Sequence, residues 1–149
     1  GVVCGAFAAP APAQARQWLV FRKAADAGVI GSTTGFRRDL EPVFLTGPWP
    51  QRSARWSSLI ATAARNAGGP SSPAGRTGHP HAKPIDVMET LIAACPPGTI
   101  TDPFAGSGST LVAARNLGRR VIGVELEERY CEVIARRLAQ DCLPLGETA

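Results

Sequence analysis

A glycine-rich turn between two apolar stretches constrains the fold of this chain more than any other feature. The turn runs from Ala105 to Gly108, and its paired glycines supply backbone angles that other residues avoid. Before it, Thr99 to Phe104 is apolar and rich in β-forming residues, which predicts a strand. After it, Ser109 to Leu117 predicts a helix with a hydroxyl at its start and Gly118 at its end. Val121 to Leu126 predicts a second strand, so the stretch is a β-α-β unit of an α/β fold.

Glu125 adds a functional indication to this unit. It lies about 20 residues after the glycines, where dinucleotide-binding folds place a carboxylate on ribose hydroxyls. The pyrophosphate fingerprint requires a third glycine three residues after Gly108, and Leu111 occupies that position. The sequence therefore favours another nucleoside ligand. A plain bend in an α/β unit is the simpler alternative, and the agreement of glycines, carboxylate and apolar periodicity argues against it.

Two motifs resemble those of DNA amino-methyltransferases, the enzymes that modify adenine N6 or cytosine N4. Residues 102–110, DPFAGSGST, look like the S-adenosylmethionine-binding motif of that family. Residues 79–84, HPHAKP, are similar to a histidine-proline and lysine-proline element that precedes this motif in the permuted, β-type order. The resemblance is clear over residues 78–140 and weaker back to about Trp18. It implies a Rossmann-like methyltransferase fold, present here as an incomplete sheet that is the C-terminal part of the fold.

The resemblance also implies S-adenosylmethionine as the cofactor. The two glycines of the turn would approach its methionine portion, Glu125 would accept hydrogen bonds from its ribose hydroxyls, and the Lys83 region would border its methionine end. Residues 79–149 are then a cofactor-binding unit that begins with a helix over Pro84 to Ala94 and ends with one over Glu127 to Gln140. The expected cofactor-binding residues are Lys83, Asp102, Phe104, Ala105, Gly106, Gly108 and Glu125.

Residues 1–46 are expected to form the antiparallel end of the sheet. Gln17 to Arg22 and Leu40 to Thr46 predict strands, and the resemblance places such strands near the target base. Trp18 is equally compatible with a place in the core and with a place beside a base flipped out of the duplex.

Residues 47–78 predict a basic loop that contacts DNA. The segment is rich in Pro, Gly, Ser and Ala, contains no acidic residue, and has arginines interleaved with Trp49 and Trp56. Arginines suit phosphates and aromatic rings suit bases, and the resembled family has its target-recognition segment here. A plain surface loop with a short helix near Ser57 to Asn66 is the alternative. Double-stranded DNA is the expected partner, through Arg52, Arg55, Arg65 and Arg76.

No catalytic residue is assigned within the chain. The resembled family holds its target amine with a tetrad of Asp, Asn or Ser, then Pro-Pro, then an aromatic residue, and this chain contains no such tetrad. The run from Cys95 to Gly98 lacks both its polar first residue and its aromatic last residue. In the permuted order the tetrad comes earlier, so we expect it in an upstream half of a longer protein. Gly1 as first residue and Met88 as the one methionine agree with this expectation.

These observations predict a site-specific DNA methyltransferase, or a fragment of one that is inactive alone. A non-catalytic or degenerate nucleotide-binding module stays open, and Leu111 disfavours a nicotinamide-dependent oxidoreductase. No apolar run approaches the ~20 residues of a membrane span, so no membrane association is expected. The four cysteines lack zinc-binding spacing, so no metal is expected either. The resemblance implies a cytoplasmic protein of bacterial or phage origin, and it leaves adenine and cytosine both open as targets.

Overall fold

The computed structural model describes residues 1–24, 27, 34–49, 55–63 and 73–140. Six strands and four helices occur in these ranges, and they form two sheets with helices packed against them. In chain order the elements are β1 (Val2–Cys4), β2 (Ala15–Arg22), β3 (Leu40–Thr46), β4 (Leu59–Ala61), α1 (Pro73–Thr77), α2 (Ile85–Ala94), β5 (Ile100–Asp102), α3 (Ser109–Asn116), β6 (Val121–Gly123) and α4 (Glu128–Ala139).

The first sheet has the strand order β1-β3-β2-β4. Strand β3 is antiparallel to both β1 and β2. Strand β4 lies parallel to β2 and pairs Ile60 with Phe21. The described part of residues 47–78 is therefore not the loop that was expected, because it contains β4 and α1. The short helix near Ser57 to Asn66, which belonged to the alternative, is also wrong over its described part. Pairing with β2 buries Ile60 in the core, and this tertiary contact outweighs the local preference of a three-residue segment.

The second sheet confirms the predicted β-α-β unit. Strands β5 and β6 are adjacent and parallel, with Ile100 opposite Val121 and Asp102 opposite Gly123, and α3 packs against both. Both strands are shorter than predicted. Pro103 has no backbone N–H, which ends the pairing of β5. Beyond β6, the Val124 amide still donates a hydrogen bond to the Asp102 carbonyl at 2.9 Å. The residues after β6 therefore stay close to the end of β5, although the strand pairing has ended.

The helices begin and end close to their predicted positions. Pro84 is extended and stands just before α2. Helix α3 ends in a glycine cap: Gly118 has a φ of 63°, its amide donates to the Arg115 carbonyl, and the Arg119 amide donates to the Ala114 carbonyl. Helix α4 turns a half-buried face inward, as predicted, formed by Tyr130, Val133, Ile134 and Leu138.

Helix α2 joins the two halves of the core. Val87 and Leu91 pack into an apolar cluster with side chains of β2, β3 and β4, and Ile92 packs against Ala113 and Ala114 of α3. Met88 contacts both clusters. The helix therefore fixes the first sheet relative to the β-α-β unit, although the two sheets share no strand pairing among the described residues.

Both sheets have open edges within the described ranges. Strand β1 pairs with β3 alone, and β5 pairs with β6 alone, which agrees with a partial Rossmann-like sheet. Trp18 is not a core residue: it is 59% exposed and stands edge-on to Phe44, with ring centroids 5.1 Å apart. No described helix has the length and apolar character needed to cross a membrane.

Candidate functional site

The candidate site lies at the carboxyl ends of β5 and β6, the edge at which open α/β sheets bind ligands. Strand β5 ends at Asp102, whose Oδ1 accepts a hydrogen bond from the Phe104 amide at 3.0 Å. The glycine turn follows at once. Gly106 and Gly108 have φ angles of 53° and 80°, a region that residues with side chains rarely adopt, so both positions require glycine.

The Glu125 carboxylate ties the end of β6 to this turn. Its Oε2 accepts a hydrogen bond from the Gly106 amide at 2.7 Å, and its Oε1 accepts one from the Glu127 amide at 2.9 Å. The Glu127 hydrogen bond, helped by that of Gly106, holds the pKa of Glu125 below its usual value against the opposing effect of desolvation. An ionised carboxylate has about four acceptor positions, so Glu125 can also accept bonds from a diol.

At both glycines of the turn, protein atoms lie close to the position that a Cβ atom would occupy. A Cβ atom placed on Gly106 would lie 3.0 Å from Nε2 of His79, and one on Gly108 would lie 2.7 Å from Cγ1 of Ile134. The glycines therefore allow the loop 78–84 and helix α4 to approach the turn closely. That they also admit a ligand remains a prediction.

His79 is a site residue that the sequence analysis did not single out. Its ring packs against Tyr130, with centroids 4.5 Å apart, and its Nδ1 accepts the His81 amide at 3.2 Å. Its electrostatic influence reaches Glu125, where it lowers the carboxyl pKa. The HPHAKP motif contained the signal, but the role of its first histidine depends on contacts with α4 that lie far along the chain.

Helix α4 supports the turn from its other side. The Arg137 guanidinium donates a hydrogen bond to the Ser107 carbonyl, and burial lowers the pKa of this arginine. Ser107 is itself buried within the turn. The glycine turn is thus held at a fixed position by α4 and by Glu125, before any ligand is considered.

Lys83 reaches the same region through its backbone and its side chain. Its carbonyl accepts the Ser109 hydroxyl at 2.7 Å, which joins loop 78–84 to the first residue of α3. Its Nζ donates to Oε2 of Glu41 at 2.8 Å. Lys23 occupies the other carboxylate oxygen of Glu41, also at 2.8 Å.

The remaining predicted cofactor residues lie on the same turn. Ala105 is buried, and its amide donates to the Val124 carbonyl at 2.9 Å. Phe104 is 88% exposed, and Leu126, next to Glu125, is 96% exposed. The structure thus places two apolar side chains in solvent at the ends of the two parallel strands, which is unfavourable unless a partner or ligand covers them.

The four arginines expected to contact DNA are only partly described. Arg55 is exposed, and its guanidinium lies 5.5 Å from the ring centroid of Trp56. Arg76 is exposed in the last turn of α1. Arg52 and Arg65 lie outside the described residues. Among the ranges that the structure describes, no three His, Cys, Asp or Glu side chains are grouped to hold a metal ion.

The sequence matches the DNA methylase family N6_N4_Mtase over residues 37–136. The type II methyltransferase M.ScaI of Streptomyces caespitosus is 43% identical over 72 residues, which are 47% of this chain and 24% of that protein. The type II methyltransferase M2.DpnII of Streptococcus pneumoniae is 44% identical over 62 residues, 40% of this chain and 23% of that protein. The matched part thus spans about a quarter of these relatives.

Solved methyltransferases share the fold. The M1.HpyAVI–SAM complex matches with a TM-score of 0.63 and 24% identity, over 85% of this chain and 63% of that chain. The cytosine-N4-specific PvuII DNA methyltransferase matches with a TM-score of 0.63 and 16% identity, over 85% of this chain and 52% of that chain. The family match covers more than half of the sequence and includes the glycine turn and Glu125. The chain belongs to the N6/N4 DNA methylase family.

Proposed function

We propose that this chain forms the cofactor-binding part of a DNA methyltransferase. The reaction is transfer of a methyl group from S-adenosylmethionine to the exocyclic amine of adenine (N6) or cytosine (N4). The observation that carries the proposal is the Glu125 carboxylate bonded to the Gly106 amide across the ends of two parallel strands. Family membership and the SAM complex of a protein with the same fold support it.

The residues present fit the cofactor. Glu125 keeps acceptor positions for the two ribose hydroxyls after its bonds to two backbone amides. The exposed side chains of Phe104 and Leu126 supply apolar surface for an adenine ring. Asp102 and Lys83 provide opposite charges for the zwitterionic amino-acid end. When bound, the cofactor supplies an electrophilic methyl group on a sulfonium, so the task of the protein is chiefly to position the reactants.

The target base enters from outside this set of residues. It must leave the DNA stack to reach the methyl group, and the exposed face of Trp18 is available to a flipped base. Arg52, Arg55, Arg65 and Arg76 contact phosphates in this proposal. The acceptors that hold the target amine lie in an upstream half of the protein, because no tetrad of the required type occurs in the sequence.

A non-catalytic cofactor-binding module is the second candidate function. It accounts for the glycine turn and Glu125 equally well and requires no upstream half. One experiment separates the two: incorporation of tritiated methyl groups into unmethylated DNA, followed by nucleoside analysis, for this chain alone and for a longer protein containing it. The enzyme function predicts N6-methyladenine or N4-methylcytosine with the longer protein and none with this chain alone. Cofactor binding without incorporation by either would support the module.

A further inference from the structure

The two lysines of this chain meet on one carboxylate. Lys23 and Lys83 are its only lysines, and both bind Glu41, each at 2.8 Å and on a different carboxylate oxygen. The three side chains are half-buried, with exposed fractions of 30%, 28% and 21% for Lys23, Lys83 and Glu41. Burial alone would raise the pKa of Glu41, and the hydrogen bonds from the two lysines outweigh burial and lower it. The carboxylate is therefore held ionised.

The cluster joins parts of the chain that are distant in sequence. Lys23 follows β2, and its Nζ also donates to the Arg38 carbonyl at 3.3 Å. Glu41 belongs to β3, and Lys83 lies 42 residues further on, two residues before α2 begins. The cluster thus connects the first sheet to the loop that lies against the glycine turn.

Lys83 also contacts the region in which the cofactor is proposed to bind. Its carbonyl binds the Ser109 hydroxyl at 2.7 Å, at the first residue of α3. Its ammonium has three N–H donors, so the bond to Glu41 leaves it able to bind a second acceptor. Burial raises the pKa of the Cys4 thiol, and Lys83, Glu41 and Asp102 also act on it electrostatically, so the charges of all three lie within electrostatic range of this thiol.

We propose that Glu41 is a positioning residue that holds Lys83 for the carboxylate of the cofactor's amino-acid end. Lys23 neutralises the remaining charge of Glu41, so the Lys83 ammonium keeps a net attraction for an anion. Asp102, as a neighbouring carboxylate, suits the ammonium of the same amino acid. This inference rests on the proposed function, since it requires the cofactor to bind at the glycine turn.

Two ligands that differ only at the amino-acid end test the inference. S-adenosylhomocysteine carries this end, whereas 5′-methylthioadenosine has the same nucleoside without it. Affinities for both are measured by calorimetric titration of a longer protein that contains this chain, as wild type and as Glu41→Gln. Loss of one charge-assisted hydrogen bond predicts about tenfold weaker binding of S-adenosylhomocysteine. Binding of methylthioadenosine should be unchanged.

Glu89→Gln is the matched control. Glu89, on α2, is also half-buried and also bridges two elements, since its Oε1 accepts a hydrogen bond from the side-chain amide of Asn116 on α3 at 2.8 Å. It takes no part in the cluster. It should leave both affinities unchanged. Equal losses for both ligands in Glu41→Gln would indicate a merely structural role and overturn the inference. Failure of the wild type to bind either ligand would instead count against the proposed function.

The lysines themselves give a second measurement that does not depend on affinity. Incorporation of ¹³C,¹⁵N-labelled lysine labels only Lys23 and Lys83 of this chain and leaves the N–H donors of both ammonium groups intact. In the wild type, S-adenosylhomocysteine should shift the Lys83 signal, and methylthioadenosine should not. Glu41→Gln should move both lysine signals in the free protein. A Lys83 signal that responds equally to both ligands would overturn the assignment.

Discussion

The Glu125 carboxylate accepts the backbone amide of Gly106 at 2.7 Å, across 19 residues of sequence. This contact joins the end of one parallel strand to the glycine turn that follows its neighbour. It orients a carboxylate that, in the proposed function, also accepts hydrogen bonds from ribose hydroxyls. The turn is thus organised in advance of ligand binding, which lowers the ordering cost that binding would otherwise incur.

The tight contact between Gly108 and α4 predicts a specific sensitivity to substitution. Gly108→Ala would place a methyl group 2.7 Å from Ile134 Cγ1 at a φ of 80°. We expect a loss of about 1–3 kcal/mol in the free energy of unfolding, from backbone strain and overpacking together. Urea denaturation followed by circular dichroism measures it.

Gly118→Ala provides the comparison for this prediction. Gly118 has a similar φ of 63°, but nothing lies within 4 Å of the added Cβ. It should therefore cost the strain contribution alone, about 1 kcal/mol. Equal losses in the two variants would show that the contact with Ile134 adds nothing.

Acidification should weaken the cluster that Lys23 and Lys83 form with Glu41. The folded-state pKa of Glu41 lies below its unfolded value, so its contribution to stability is complete above the unfolded pKa of about 4.3 and is lost as the pH falls through the lower, folded value. The difference in unfolding free energy between wild type and Glu41→Gln should be constant near neutrality and should shrink below about pH 4. Denaturant titrations at a series of pH values measure it. A difference that stayed constant into acid would contradict the two ion pairs.

The arginine-rich segment should contribute to DNA affinity without regard to sequence. In the longer protein, replacing Arg52, Arg55, Arg65 and Arg76 by alanine should flatten the dependence of log affinity on log salt by about 0.9 per lost phosphate contact. Fluorescence anisotropy with duplex DNA at several salt concentrations gives this slope. Arg129→Ala is a suitable control, because that arginine is exposed on α4 and pairs with Glu127. An unchanged slope in the fourfold variant would leave these four arginines without a role in DNA binding.

The open strand edges predict the behaviour of the isolated chain. Strands β1 and β5 each expose an unpaired edge within the described residues, and the side chains of Ile122, Val124 and Leu126 are exposed around β6. Such edges promote association with other strands. The 149-residue chain should therefore be poorly soluble or self-associating in size-exclusion chromatography with light scattering. A monodisperse monomer that melts cooperatively would contradict the idea of an incomplete sheet.

Local patterns predicted the β-α-β unit because its signals lie within short windows. The glycines, the Ser109 start, the Gly118 cap and the apolar runs each indicate their own element, and the structure confirms these elements with shorter strands. Glu125 was identified by its distance along the chain from the glycines. These features depend on neighbouring residues, so one sequence is enough to recognise them.

Tertiary contacts decided the features that the sequence did not predict. The Glu41–Lys83 pair spans 42 residues, and no local rule places these side chains together. Strand β4 has three residues and no periodicity, so its pairing with β2 could not be inferred from its own sequence. The place of His79 between Gly106 and Tyr130 likewise depends on how α4 packs.

The affinity of Glu125→Ala for S-adenosylhomocysteine shows whether this carboxylate binds the ribose of the cofactor. Removing a carboxylate that holds ribose hydroxyls should weaken binding at least about tenfold in a calorimetric titration of the longer protein. The loss should be much smaller for the 2′-deoxy analogue, which separates the ribose contact from the support of the turn. Glu127→Ala is the control, because the Glu127 side chain is exposed and pairs with Arg129. This variant should bind S-adenosylhomocysteine as the wild type does. Equal affinity of Glu125→Ala and wild type for S-adenosylhomocysteine would show that Glu125 does not hold the ribose.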